Sequence, residues 1–276
     1  MQSLNHIVTF LSSEPAHNGG GEEAQHELPN LVTILNEYVF GGTSVGEFLH
    51  HWENAIFSLA IVIILVVVAR FAYRNPQLVP RGLQNGVELI IEALESFIVG
   101  VIGPHGRKFV PFLGTLFLYI FCSNLAGLIP LMKAPTANVN QTIALALCVF
   151  FYVQFTAVKE NGIVGFVKHL MGEPRSAIQW AFVPLMLPIH IIGEFAKPLS
   201  LSVRLFGNVT GEDILILIFV GLGVAVLSFT HLPIGIPLQL PFIFLAILTS
   251  FIQALVFMLL STVYFAMILP HGEEDH

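Results

Sequence analysis

Long uncharged runs of apolar residues restrict the folds that are open to this sequence. Phe109 to Met132 contains 24 residues without a charge, and Gln141 to Val158 contains 18. A helix needs about 20 predominantly apolar residues to cross the hydrocarbon core of a bilayer. Only 11% of the 276 residues are charged, against about 25% in soluble domains. The chain is therefore predicted to be an integral membrane protein.

Five such runs are predicted to cross the membrane, which makes the fold class all-α. Proline, glycine and asparagine residues separate the runs, as expected where membrane helices end. In the last run, 29 residues would form a helix of roughly 44 Å. The last two helices are therefore predicted to be steeply tilted, unless each divides into one upright helix and an interfacial piece. The spans lie at about 54–73, 109–132, 141–158, 178–228 and 241–269, in a membrane domain of residues 54–270.

A segment between the first two spans is predicted to form an amphipathic helix over residues 83–102. Glu88, Glu92 and Glu95 share one face of this helix, and apolar residues recur at helical spacing on another. Such a helix is expected to lie in the membrane interface and not to cross it. The apolar face consists of Val87, Ile90, Ile91, Leu94, Ile98 and Val101.

The basic residues predict the orientation of the chain, because cytoplasmic loops are rich in Lys and Arg. Of the 11 basic residues, Lys133 alone falls on the other side, and two are embedded in a span. The N-terminal arm, residues 1–53, is then periplasmic and the tail, residues 271–276, is cytoplasmic, with a bacterial inner membrane as the expected location. The arm contains a short amphipathic stretch, Leu28 to Phe40. The basic residues on the cytoplasmic side are Arg70, Arg74, Arg81, Arg107, Lys108, Lys159, Lys168 and Arg175.

One permanent cation, Arg204, is predicted to lie at membrane depth in the fourth span. An arginine near the centre of a bilayer costs about 2.5 to 3.5 kcal/mol on insertion scales, so a function for this charge is expected. His190, Lys197 and Gly211 follow the same helix face at heptad spacing, and Asn208 lies one turn after Arg204. One stripe of this span is therefore polar.

Three acids bracket Arg204 along the same span. Glu194 precedes it by ten residues, and Glu212 and Asp213 follow it by eight and nine, which is about 12 to 15 Å on a helix. An acid in an aqueous pocket can take up and release protons, while the Arg stops a cation from passing directly between two such pockets. A moving carboxylate on another subunit could carry protons past the Arg, driven by the membrane potential.

Each of these polar residues also has an ordinary structural explanation. An intramembrane Arg can simply pair with an acid or cap a helix, Lys197 can snorkel, and His190 can be a hydrogen-bonded packing residue. Gln253 is an isolated amide in the last span, and a hydrogen-bond partner on the fourth span is expected for it.

Several classes of function are excluded. The charges form no basic face, so nucleic acid is not an expected partner. The sequence contains no His-Glu-x-x-His or Walker-type motif, and its terminal histidines lack metal-ligand spacing. We expect no cofactor, metal or catalytic site in this chain. A self-contained secondary transporter or ion channel is the alternative function, although the internal repeat of many transporters is missing.

Several motifs resemble those of subunit a of the rotary F-type ATP synthase. The most specific is Lys197-Pro-Leu-Ser-Leu-Ser-Val-Arg-Leu-Phe-Gly-Asn208, which looks like the signature of that family. The resemblance covers about residues 70 to 268. Further segments similar to the family are Asn124-Leu-Ala-Gly-Leu-Ile-Pro130, Pro135-Thr136, Thr142, Ala144-Leu-Ala146 and Gln253-Ala-Leu-Val-Phe257.

The resemblance implies a non-catalytic stator subunit with two aqueous half-channels, which pass protons or Na⁺ to and from carboxylates on a ring of c subunits. Arg204 matches the essential Arg that separates the half-channels, and Asn208 and Gln253 match polar residues of the same contact. Asp213 matches a half-channel acid, with Glu212 beside it. The implied partners are the c-subunit ring, the b-subunit stator stalk, the rest of the F1Fo ATP synthase and the lipid bilayer.

Two positions depart from the pattern of that family. Many members carry a Glu fourteen residues before the Arg, where this chain has His190, with Glu194 one turn later. The path on that side is therefore expected to run through a His and a shifted acid. Many members also carry a polar or ionisable residue seven positions before the Gln, where this chain has Ala246.

Overall fold

The computed structural model contains six α-helices and two short 3₁₀-helices, Pro104–Phe109 and Pro135–Ala137, with no strand among the residues it describes. The predicted all-α fold class is confirmed. The described residues are 48, 49, 51–74, 77, 79–129, 131–171, 177–227 and 237–269. The α-helices are α1 (Glu53–Ala72), α2 (Leu83–Ile102), α3 (Val110–Gly127), α4 (Val139–Leu170), α5 (Ala177–Leu227) and α6 (Leu240–Ile268).

Five of these helices, all except α2, are long and apolar enough to cross a membrane. This agrees with the predicted number of spans. The predicted tail and most of the predicted N-terminal arm, including Leu28 to Phe40, lie outside the described residues. The tilt of α5 and α6 and the division of the chain into arm, membrane domain and tail stay predictions.

Helix α2 forms where the amphipathic pattern predicts it, but only part of the predicted apolar face is covered by the protein. Leu94 and Ile98 are buried, whereas Ile90, Ile91 and Val101 are exposed. Two apolar residues one turn apart therefore attach α2 to its neighbours, α6 among them. The exposed apolar residues fit an interfacial location, which stays a prediction.

Helix α5 is continuous over 51 residues although it contains Pro184, Pro188 and Pro198. The alternative of an upright helix followed by a separate interfacial piece is therefore wrong for this span. Helix α4 is different, because Gly162 adopts a φ of 69° and a ψ of 167° and kinks it. This left-handed φ favours glycine at that position.

The core lies where α3, α4, α5 and α6 pack together. The rings of Phe109 and Phe265 stack with their centroids 4.4 Å apart, and the Tyr152 ring lies 5.2 Å from that of Phe265. On α5 the fully buried residues are Leu201 and Leu205. Because these two residues are four positions apart, they define one buried stripe of α5. Arg204, Gly207 and Gly211 lie outside this stripe and are exposed.

Candidate functional site

The polar stripe of α5 is exposed, in contrast to the buried apolar stripe of the same helix. Arg204, Asn208, Gly207 and Gly211 are all exposed, next to buried Leu205. A Cβ atom added at Gly207 or Gly211 would meet no atom within 4 Å. Helices approach each other closely at small residues in membranes. The described part of the chain therefore leaves this stripe open to another helix.

Arg204 has no hydrogen-bond or ion-pair partner among the residues that the structure describes. The explanation that it simply pairs with an acid of its own chain is therefore not supported within this part of the protein. Glu194, Glu212 and Asp213 lie before and after Arg204 on the same continuous helix. Their spacing along that helix keeps them about 12 to 15 Å from the Arg.

Asn208 and Gln253 join α5 to α6 one turn after Arg204. The Asn208 amide donates a hydrogen bond to Gln253 Oε1 at 2.5 Å. Gln253 is 3% exposed. The bond therefore connects a buried amide on α6 to an exposed amide on the open stripe of α5. The partner expected for Gln253 on the fourth span is therefore present.

The two acids after Arg204 are both half-buried. Glu212 lies beside Thr249 on α6. Ala246, at the position where many family members are expected to carry an ionisable group, is 2% exposed and is part of the core. Thr249, one turn later, is thus the α6 residue that faces Glu212, and the sequence analysis did not single it out. A hydroxyl in an otherwise apolar span is the signal that could have found it.

On the other side of Arg204, Glu194 is held by two side chains. Lys197 forms an ion pair with Glu194 Oε1, and Gln154 on α4 donates a hydrogen bond to Glu194 Oε2 at 2.9 Å. The Lys197 ammonium lies 5.4 Å from the centroid of the Tyr264 ring on α6. Lys197 therefore has partners among the described residues, and its snorkelling stays an alternative. His190, one turn before Glu194, is exposed.

Several buried polar atoms on α3, α5 and α6 have no hydrogen-bond partner in the described part of the protein. Leaving a buried donor or acceptor unsatisfied costs about 1–3 kcal/mol, so groups of this kind are usually found where water or a functional partner reaches them. The sequence analysis did not single out the serines and the threonine, because each is ordinary in isolation. The atoms are Ser123 Oγ, Asn124 Nδ2, Thr210 Oγ1, Ser250 Oγ and Gln253 Nε2.

These polar atoms share one half of the protein with Glu212 and Asp213. Ser123 and Asn124 lie near the end of α3, and Ser250 lies in the first half of α6, which packs against α3. Thr136, after α3, donates a hydrogen bond to Asn124 Oδ1 at 2.6 Å. This half of the helix bundle is therefore polar inside, although the surrounding sequence is apolar.

The fold and the site define a multi-helix membrane protein with a cation on an open stripe of a long helix and acids on both sides of it. The model of the ATP synthase A chain family matches residues 55–266. The chain is 48% identical to ATP synthase subunit a of Protochlamydia amoebophila over 250 residues, covering 90% of this chain and 92% of that protein. It is 42% identical to ATP synthase subunit a of Solidesulfovibrio magneticus over 253 residues, covering 89% and 98%.

A third relative, ATP synthase subunit a of Trichlorobacter lovleyi, is 38% identical over 229 residues, which cover 82% of this chain and 92% of the relative. The chain therefore belongs to the ATP synthase subunit a family. It is a membrane-integral component of an ATP synthase. The resemblance predicted from the Lys197–Asn208 motif is confirmed.

The hydrogen bond between Asn208 and Gln253 leads to a prediction about stability. Asn208→Ala leaves the buried Gln253 amide without its partner, so the free energy of unfolding of the purified chain in detergent is expected to fall by about 1–3 kcal/mol. Ser200→Ala, an exposed position on the same helix, is the matched control and should unfold like the parent chain. Equal unfolding of the two variants would contradict a stabilising role for this bond.

Proposed function

We propose that this chain is the stator subunit that passes protons, or Na⁺, to and from the carboxylates of a c-subunit ring. In this function Arg204 separates two aqueous half-channels, so that an ion crosses the membrane only by travelling on the rotating ring. The observation that supports the proposal best is the position of Arg204, on an open stripe of α5 and with no hydrogen-bond or ion-pair partner among the described residues. A second subunit can reach the guanidinium there.

The electrostatic argument explains why ion flow would drive rotation. A guanidinium stays charged at any working pH, so it repels a free cation that approaches from either side. A ring carboxylate that has released its ion is negative and is attracted to the Arg, whereas a neutral, loaded carboxylate can move through lipid. The membrane potential supplies about 2.3 kcal/mol per charge per 100 mV, which biases the direction of transfer.

We place the periplasmic half-channel at the polar half of the bundle. Asp213 and Glu212 lie there, together with Asn208 and Gln253 at the level of the Arg. The buried polar atoms on α3, α5 and α6 that lack partners among the described residues support this location, because a path for ions or water needs hydrogen-bonding groups along it.

We place the cytoplasmic half-channel on the opposite side of Arg204, along the exposed His190. Glu194 lies in the same region but is engaged with Lys197 and Gln154. The basic residues at this end of the bundle put it in the cytoplasm by the positive-inside rule, with the N-terminus periplasmic in a bacterial inner membrane. The c-subunit ring and the b-subunit stalk are the proposed partners, and nucleotide chemistry takes place in other subunits.

Arg204→Ala tests the proposal in the assembled synthase. The substitution is expected to abolish both ATP-driven pumping and ATP synthesis, because nothing then separates the half-channels or meets the ring carboxylate. Assembly is expected to persist, since an apolar side chain suits a position at membrane depth. Both rates are measured in inverted membrane vesicles, with Arg70→Ala at the end of α1 as a matched control.

Coupled synthesis that survives in Arg204→Ala would refute the proposal. Reconstitution of this chain alone in vesicles tests the competing function. The chain is expected to drive no directional transport without the ring. Directional transport by the isolated chain would instead identify a self-contained transporter or channel.

The two neighbouring acids give a finer prediction. Asp213→Asn is expected to slow ion flux through the assembled complex more than Glu212→Gln does, because Asp213 matches the half-channel position. Passive ion flux through the membrane sector, after removal of the catalytic sector, measures both variants. Equal or reversed losses would mean that Glu212 is the principal acid.

A further inference from the structure

Four side chains from three helices meet two to three turns before Arg204. Gln154 on α4 and Lys197 on α5 each bind one oxygen of the Glu194 carboxylate. The Lys197 ammonium also lies 5.4 Å from the centroid of the Tyr264 ring on α6, a distance typical of a cation–π contact. We refer to Gln154, Glu194, Lys197 and Tyr264 as the α4–α5–α6 clamp.

The clamp lies in largely apolar surroundings. A small pocket beside it is lined by side chains that include Ala146, Val149 and Leu201. The side chains of Lys197 and Glu194 are 24% and 18% exposed. In such surroundings, removing one partner of an ion pair leaves an uncompensated charge, whereas replacing both partners by neutral groups is often tolerated.

The contacts of Glu194 are unsuited to a proton relay. A relay has to accept a proton and then release it to the next carrier. Each oxygen of Glu194 already accepts a hydrogen bond, one from the Lys197 ammonium and one from the Gln154 amide. A proton bound to either oxygen would neutralise the carboxylate and leave the Lys197 ammonium without its counter-charge, so each transfer would break and re-form the ion pair of the clamp.

We infer that Glu194, Lys197 and Gln154 are positioning residues for Arg204 and that Glu194 is not a carrier of the translocated ion. Lys197 lies seven residues, or about two turns, before Arg204 and points to nearly the same side of α5. Fixing Lys197 between α4 and α6 therefore fixes the rotation of α5 about its axis. A rotation by one residue step, about 100°, would turn Arg204 away from the open stripe.

This inference rests on the proposed function of Arg204 and assigns to Glu194 a role other than the shifted acid that the resemblance implies. A double-mutant cycle separates the two roles. Glu194→Gln, Lys197→Met and the double variant are compared for ATP-driven ion pumping in inverted membrane vesicles of the assembled synthase. The rates are normalised to the amount of this chain that is assembled, and Lys197→Arg is the conservative control.

A positioning clamp predicts strong coupling between the two substitutions. Each single variant is expected to lower pumping by about tenfold, and the double variant is expected to recover to within about threefold of the parent enzyme. Lys197→Arg is expected to pump nearly as well as the parent. Single variants that fail to assemble, with assembly regained in the double variant, would support the clamp in the same way.

A double variant that is no better than Glu194→Gln would overturn the inference, and so would single variants that pump normally. The first of these results, together with normal pumping by Lys197→Met, would identify Glu194 as an ion carrier. Arg204→Ala is measured alongside. If Arg204→Ala is inactive while the cycle shows no coupling, the clamp fails and the proposed function stands. If Arg204→Ala pumps, the proposed function itself fails.

Discussion

The permanent charge of Arg204 at membrane depth is the constraint on which the rest of the site depends. The charge cannot be removed by deprotonation, and the described part of the chain does not neutralise it by an ion pair. Arg204 is exposed, while Leu201 and Leu205 bury the neighbouring stripe of α5 in the core. One orientation of α5 therefore both buries its apolar stripe in the bundle and leaves Arg204 exposed.

Polar contacts on both sides of Arg204 define that orientation further. Asn208 joins α5 to Gln253 on α6 one turn after the Arg, and the clamp joins α5 to α4 and α6 before it. The two sides differ in chemistry, since one is closed by an ion pair and the other contains half-buried acids and buried polar atoms that have no partner in the described part of the chain. This asymmetry fits two half-channels that open to different sides of the membrane.

Much of the fold could be predicted from the sequence, because long apolar runs leave a chain few alternatives to membrane helices. Arg204 could also be predicted as the centre of the site, since a charge in such a run is expensive. Gln154 and Thr249 could not be assigned their roles, because each depends on which helix lies opposite. The kink at Gly162 was missed for a similar reason, as a single glycine does not reveal its backbone angles. The apolar residues of α2 that stay exposed show that hydrophobic spacing can identify the apolar face of a helix, but not which neighbours cover that face.

The most direct test of the account is whether the open stripe of α5 contacts the rotor. In an assembled synthase whose subunit a lacks Cys122 and Cys148, Gly207→Cys would be paired with cysteines introduced along the c-subunit helix beside its carboxylate, and oxidative cross-linking measured. The account predicts a cross-linked product at Gly207→Cys and none at the buried Val209→Cys. Absence of a product at Gly207→Cys with every c-subunit position, in an assembled and active enzyme, would contradict the central claim that Arg204 faces the ring.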